Sequence, residues 1–180
     1  MSAATKTAVV VALLVALTVP LTSERSSALV ANGSDLINRK QAGPIKIGKT
    51  TFKRAKKIFG KPTKNKIVQR GCIKVRRARW GRALTIYFGK GASGTATEVR
   101  IQKREIGSKT KGRLRVHTKK GLRVRDATKR VRKLYPRAQR YRVKGKWLWE
   151  LKRNTLKGRL QAWTNNGKVV RLSNGPYEYC

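Results

Sequence analysis

Thr51-Phe52-Lys53-Arg54-Ala55-Lys56-Lys57-Ile58-Phe59-Gly60-Lys61-Pro62 is the stretch from which the architecture is read. Phe52, Ala55, Ile58 and Phe59 recur at the spacing of one helical face. Thr50 or Thr51 can cap the start, and a glycine followed by a proline ends the element. Asp126-Ala127-Thr128-Lys129-Arg130-Val131-Arg132-Lys133-Leu134-Tyr135-Pro136 has the same form, with Asp126 as the cap and Ala127, Val131, Leu134 and Tyr135 as the stripe. Ala55 and Val131, like Phe59 and Tyr135, stand 76 residues apart. The same offset links two alternating segments, Leu84-Thr85-Ile86-Tyr87-Phe88 and Leu160-Gln161-Ala162-Trp163-Thr164, each followed by a glycine-containing turn. Glu98 to Ile101 and Val169 to Leu172 read as return strands. Ile73 to Trp80 and Lys146 to Leu151 read as the strands before the hairpins. The expectation is an α+β fold: two tandem copies of a short helix packed on about three antiparallel strands, forming one curved sheet with helices on one face.

The charge is extreme. Lys plus Arg number 46 against seven Asp plus Glu in 180 residues, a formal net charge of +39. Such a balance suggests disorder, yet 39% of the residues are apolar, twelve are aromatic and only five are proline. A chain of this size can bury roughly two thirds of its surface, enough for a core. A disordered tail is therefore excluded, and so few carboxylates cannot build an acidic metal cage.

Met1 to Lys6, the apolar run Ala8 to Val19 and the small residues Ser26-Ser27-Ala28 read as a signal peptide over 1–28. Twelve helical residues reach about 18 Å, short of a bilayer's roughly 30 Å hydrocarbon core. No membrane span is expected after processing, and the chain is expected to be secreted or held in the cell envelope. Removing Lys6, Glu24 and Arg25 leaves 44 basic against six acidic side chains, a net +38. Residues 29–44 read as a flexible N-terminal segment, 45–108 as the first repeat and 113–180 as the second. Export would place Cys72 and Cys180 in an oxidising compartment, where one disulfide is the expectation. Non-reducing mass spectrometry is expected to find Cys72 linked to Cys180, and reduction to lower Tm by several degrees or more. Two alkylatable thiols in the exported protein would overturn the pairing.

A capped short helix ending in Phe59-Gly60-Lys61-Pro62, followed by an antiparallel meander and then written again, resembles the β-lactamase inhibitor protein family. It is equally similar to the small outer-membrane assembly lipoprotein domain that shares this unit. Thr51, Ala55, Phe59, Gly60 and Pro62 carry the resemblance, which spans about residues 45–175. It implies a helix layer on one face of a curved sheet whose other, concave face binds proteins.

If Leu84, Ile86, Phe88, Leu160 and Ala162 face the helices, the period of two turns Thr85, Tyr87, Gln161 and Trp163 the other way. Trp147 and Trp149 share one face of their strand, and the sequence leaves open which face is inward. Trp80 closes the corresponding strand of the first half. Aromatics interleaved with arginine are the residue types that anchor interfaces. The candidate protein-binding residues are therefore Trp80, Tyr87, Trp147, Trp149, Trp163, Arg82 and Arg159. Four tryptophans buried in a core are the competing account.

Catalysis has little support. His117 is the sole histidine, and no Ser or Cys stands in a nucleophile motif. Glu98 and Glu150 are the one carboxylate pair on strands, and Asp126 is accounted for as a cap. No cofactor motif and no metal-ligand spacing occur. The expectation is an exported, non-catalytic binding protein that holds another protein, of acidic character, on the concave face. An enzyme that it inhibits would be one such partner. The alternative is a surface protein that binds a polyanion: a cell-wall polymer, nucleic acid or an anionic membrane.

Overall fold

A computed structural model describes residues 35–89, 94–154 and 158–175. The segment read as a signal peptide lies outside them, and so does Cys180, so the Cys72 pairing does too.

The chain is mostly β, and the expected α+β fold of two tandem helix-plus-strand repeats is not what forms. Among the described residues the helices are α1, Phe52–Phe59, and α2, Thr128–Leu134. Eight strands make one antiparallel sheet. They are β4 (Lys64–Arg70), β5 (Ile73–Trp80), β6 (Leu84–Phe88), β7 (Ala96–Ile101), β11 (Gln139–Val143), β12 (Lys146–Asn154), β13 (Gly158–Asn165) and β14 (Lys168–Gly175), in the spatial order 11-12-13-14-7-6-5-4. Short strands β1 (Leu36–Ile37), β2 (Gln41–Ala42), β3 (Ile45–Lys46) and β10 (His117–Thr118) make a second sheet, in which β1 runs parallel to β10. Strands β8 (Ile106–Ser108) and β9 (Gly112–Leu114) form a hairpin.

Two particulars depart from the expected repeats. The large sheet is a single one, as expected, joined at its middle where Leu172, Ser173 and Asn174 of β14 pair with Ile101, Arg100 and Val99 of β7, but the rest of the chain is more strongly β than two helix-plus-strand copies allow. Four strands of the large sheet follow each helix, not about three, the additional ones being the edge strands β4 and β11. Their sequences, KNKIVQR and QRYRV, are charged and mostly exposed, so they lack the apolar alternation that marks a half-buried strand. Residues 35–44, expected to be flexible, instead supply β1 and β2, with Ile37 and Ala42 buried in the common core.

That core lies between one face of the large sheet and the other elements. Ala55 and Ile58 of α1, Val131 of α2, and Ile37 and Ile45 of the small sheet meet Ala78, Leu84, Ile86, Phe88, Val99, Ala162 and Leu172. Helix α1 begins as its sequence indicates, with the Thr51 hydroxyl accepting from Arg54 N at 3.2 Å. It ends at Gly60, whose φ of 84° is open to glycine without strain and whose N–H donates to Lys56 O. Helix α2 departs from expectation, since Ala127 is its N-cap and no side chain caps it. Asp126 instead closes the preceding turn, accepting from Arg123 N at 2.8 Å, with Arg130 at 3.4 Å and Arg104 at 3.7 Å.

Candidate binding face

Residues paired across an antiparallel ladder point to the same side, so the register sorts every strand position into one of two faces. Ala78, Ile86, Val99 and Ala162 lie on the side that meets the helices. The opposite side is built in rows. Lys64, Arg79, Thr85, Arg100, Ser173, Gln161, Glu150 and Gln139 are successive partners from one edge of the sheet to the other. All eight strands contribute, and every residue in the row is polar. Thr85, Ser173, Gln161 and Glu150 in this row are nonetheless buried.

The rows on either side divide the face into halves. On one side run Lys66, Arg77, Tyr87 and Glu98. On the other run Arg171, Trp163, Leu148 and Tyr141. Glu98 accepts from Arg70 at 2.8 Å and also from the Arg100 Nε. The two guanidiniums that it anchors stand 5.0 and 4.7 Å from the centre of the Tyr87 ring, close enough for cation–π attraction. Arg171 packs over Trp163 at 4.7 Å. Between β5, β6, β7 and β14 a cavity of about 180 Å³ opens, lined by Arg77, Arg79, Arg100 and Arg171. Thr85, Tyr87 and Gln102 complete its wall. Burial pulls the Arg171 guanidinium below its usual pKa, and the neighbouring Arg100 charge adds to the effect.

The structure separates the sequence-derived candidates. Tyr87 and Trp163 stand on the open face, though Tyr87 is only 3% exposed beneath its guanidiniums. Arg159 shares that face and lies 3.9 Å from Glu150. Trp80 and Trp149 do not belong to it. Both point to the helix side, where the Trp80 indole donates to Gly60 O at 2.9 Å and the Trp149 indole to Thr164 Oγ1 at 3.0 Å. Trp147 is on that side too but lies outside the core, 37% exposed, with Arg140 4.8 Å from its ring. Arg82 sits exposed in the turn between β5 and β6. Sequence reading missed Tyr141 because β11 was not read as a strand, and missed Leu148 because it was placed opposite Trp147 and Trp149 with the inward face left open. It also missed Arg100, whose signal was the Val99-Arg100-Ile101 alternation. The carboxylates considered for hydrolysis are each engaged by arginine, Glu98 with Arg70 and Arg100, Glu150 with Arg159. His117 places Nδ1 2.9 Å from Thr118 O. Among the described residues no three His, Cys, Asp or Glu side chains gather to hold a metal, and no helix is long and apolar enough to cross a membrane.

No family model matches the chain, and no curated protein matches it. Among solved structures, a Streptococcus mutans protein described as a "putative beta-lactamase inhibitor protein" is similar to it, at 13% identity and a TM-score of 0.29. The match covers 67% of this chain and 78% of that one. At such a score the likeness carries no argument about fold or function, and the description belongs to that protein alone.

Proposed function

We propose that this chain is an exported, non-catalytic binding protein that holds an acidic protein against the open face of its eight-stranded sheet. The observation that carries this reading is the row Trp163, Leu148 and Tyr141, an apolar and aromatic strip on the side away from the helices. Tyr141 is 42% exposed, and Trp163 and Leu148 are half-buried, so all three offer area to a partner. Flat aromatic rings beside arginine make good anchors, because they bury much surface at small cost in side-chain entropy. Arg171, packed over Trp163 at the end of the strip, favours carboxylates on the other side. Inhibition follows where the partner is an enzyme whose acidic surface is covered in this way.

The test is capture from culture supernatant with the Tyr141→Ala, Trp163→Ala double variant. Partner recovery is expected to fall at least tenfold while Tm stays close to that of the parent, the usual scale for losing two interface anchors. Unchanged recovery by a folded variant would remove the strip from the site. A second reading, attachment to a polyanion, is favoured by the exposed faces of α1 and α2, where Lys53, Arg54, Lys56, Lys57, Lys129, Arg130, Arg132 and Lys133 all meet solvent. Affinity for such a polymer would drop on the order of a thousandfold between 50 and 200 mM salt. Binding through Trp163 and Tyr141 would change far less.

A further inference from the structure

The other half of the open face has a different character. Arg77, Arg79, Arg100 and Arg171 converge on one cavity from three strands, β5, β7 and β14. The acidic group nearest them by register is Glu98, and it is shared between Arg70 and Arg100. Glu150, the next carboxylate on this face, lies two strands beyond β14 beside Arg159. Among the described residues, four arginines thus line a space of about 180 Å³ with Glu98 as the nearby carboxylate. Two of these lining residues, Arg77 and Arg171, have buried Nε atoms without a hydrogen-bond partner. Buried donors are seldom left so, and guanidiniums desolvated beside one another call for an anion.

We propose that this cavity is a binding site for a phosphate group. The reading goes beyond the protein-binding function, although the two sites adjoin at Arg171, which lines the cavity and also packs over Trp163. A phosphate near neutral pH carries between one and two negative charges and several strong acceptor oxygens, which a carboxylate cannot match. Planar guanidiniums meet it two donors at a time, and the Nε–H groups of Arg77 and Arg171 supply directed donors. Thr85 and Gln102 add neutral donors on the wall. The Tyr87 ring, 4.7 Å from the Arg100 guanidinium, helps to keep it in place. The same chemistry fits free phosphate or a phosphomonoester on a larger molecule.

The experiment compares inorganic phosphate and glycerol phosphate by calorimetry and thermal shift, with acetate and chloride at matched ionic strength as controls. Saturable one-site binding and a rise in Tm are expected with phosphate and not with acetate. Tighter binding of the ester identifies a group carried on a larger molecule, and tighter or equal binding of inorganic phosphate identifies the free ion. The Arg77→Gln, Arg171→Gln variant should lose at least tenfold in phosphate affinity. Lys53→Gln, Lys57→Gln on the exposed face of α1 removes the same charge and should lose less than twofold. Equal losses in the two variants would overturn the proposal, as would acetate acting as well as phosphate. Should the cavity variant not fold, the parent protein decides. Phosphate must shift the Nε–H resonances of Arg77 and Arg171 saturably, and their failure to move would overturn the site.

Discussion

Replacing Trp80 by alanine is expected to cost about 3–5 kcal/mol of stability, the range for emptying a buried indole site. Trp80 is 8% exposed at the end of β5 and packs 5.7 Å from the Phe59 ring. Its indole N–H satisfies Gly60 O, the residue that ends α1. One side chain therefore ties the last turn of the helix to the sheet and supplies the donor for a carbonyl that the helix cannot satisfy internally. For a chain of this length Tm should fall by roughly 10 °C or more. Trp80→Phe should recover most of the packing and still leave the Gly60 carbonyl unpaired, a residual cost of about 1–2 kcal/mol. Urea titration of the three proteins measures both terms, and a Trp80→Ala loss below about 1 kcal/mol would show that the indole is not part of the core. Partner capture by the folded fraction should be unaffected, which separates Trp80 from the binding face on which the sequence had placed it.

Glu98→Gln is expected to cost about 3 kcal/mol, although the change is a single atom. The Glu98 side chain is 10% exposed, and its two oxygens engage Arg70 and Arg100, whose guanidiniums both stack near the Tyr87 ring. The amide leaves both guanidiniums without their counter-charge in a partly desolvated cluster that Arg77 and Arg171 already make strongly positive. Breaking such an arrangement from one side is costlier than the pair's own net contribution. A second readout tests the electrostatic origin. Phosphate should restore more Tm to Glu98→Gln than to the parent, because the added anion replaces the charge that was removed. Equal increments in the two proteins would assign the loss to packing alone.

Local chemistry made parts of this fold readable. Thr51, the stripe Ala55 and Ile58, and Gly60-Lys61-Pro62 define α1 without reference to anything outside it. Alternation in Leu84 to Phe88 and Leu160 to Thr164 puts Tyr87 and Trp163 opposite the apolar positions, as the register does. The pairing of strands was not legible in this way. A shared offset of 76 residues says that two segments look alike, but the hydrogen-bonded union of β7 and β14 depends on contacts between Leu172 and Ile101 that no local pattern encodes. Trp80 and Tyr87 are both aromatics on neighbouring strands, and one residue of register decides which is core. Asp126 looked like a cap because it precedes an apolar stripe, yet its carboxylate serves the turn before the helix. Edge strands hid for a related reason: with solvent at hand their side chains need not alternate.

An open sheet ends in two rows of backbone donors and acceptors with nowhere to go, and eight strands present a long template for adding a ninth from another molecule. Here β4 carries Lys64, Lys66 and Arg70, and β11 carries Arg140 and Arg142. Any copy that approaches edge to edge brings cation against cation at strand spacing, well inside the roughly 8 Å over which physiological salt lets charges feel one another. The charge that makes this chain unusual thus works as colloidal protection as well. Among the described residues no further strand pairs outside β4 or β11, and like charge at those margins opposes edge-to-edge growth in a way that depends on the ionic medium as much as on the fold.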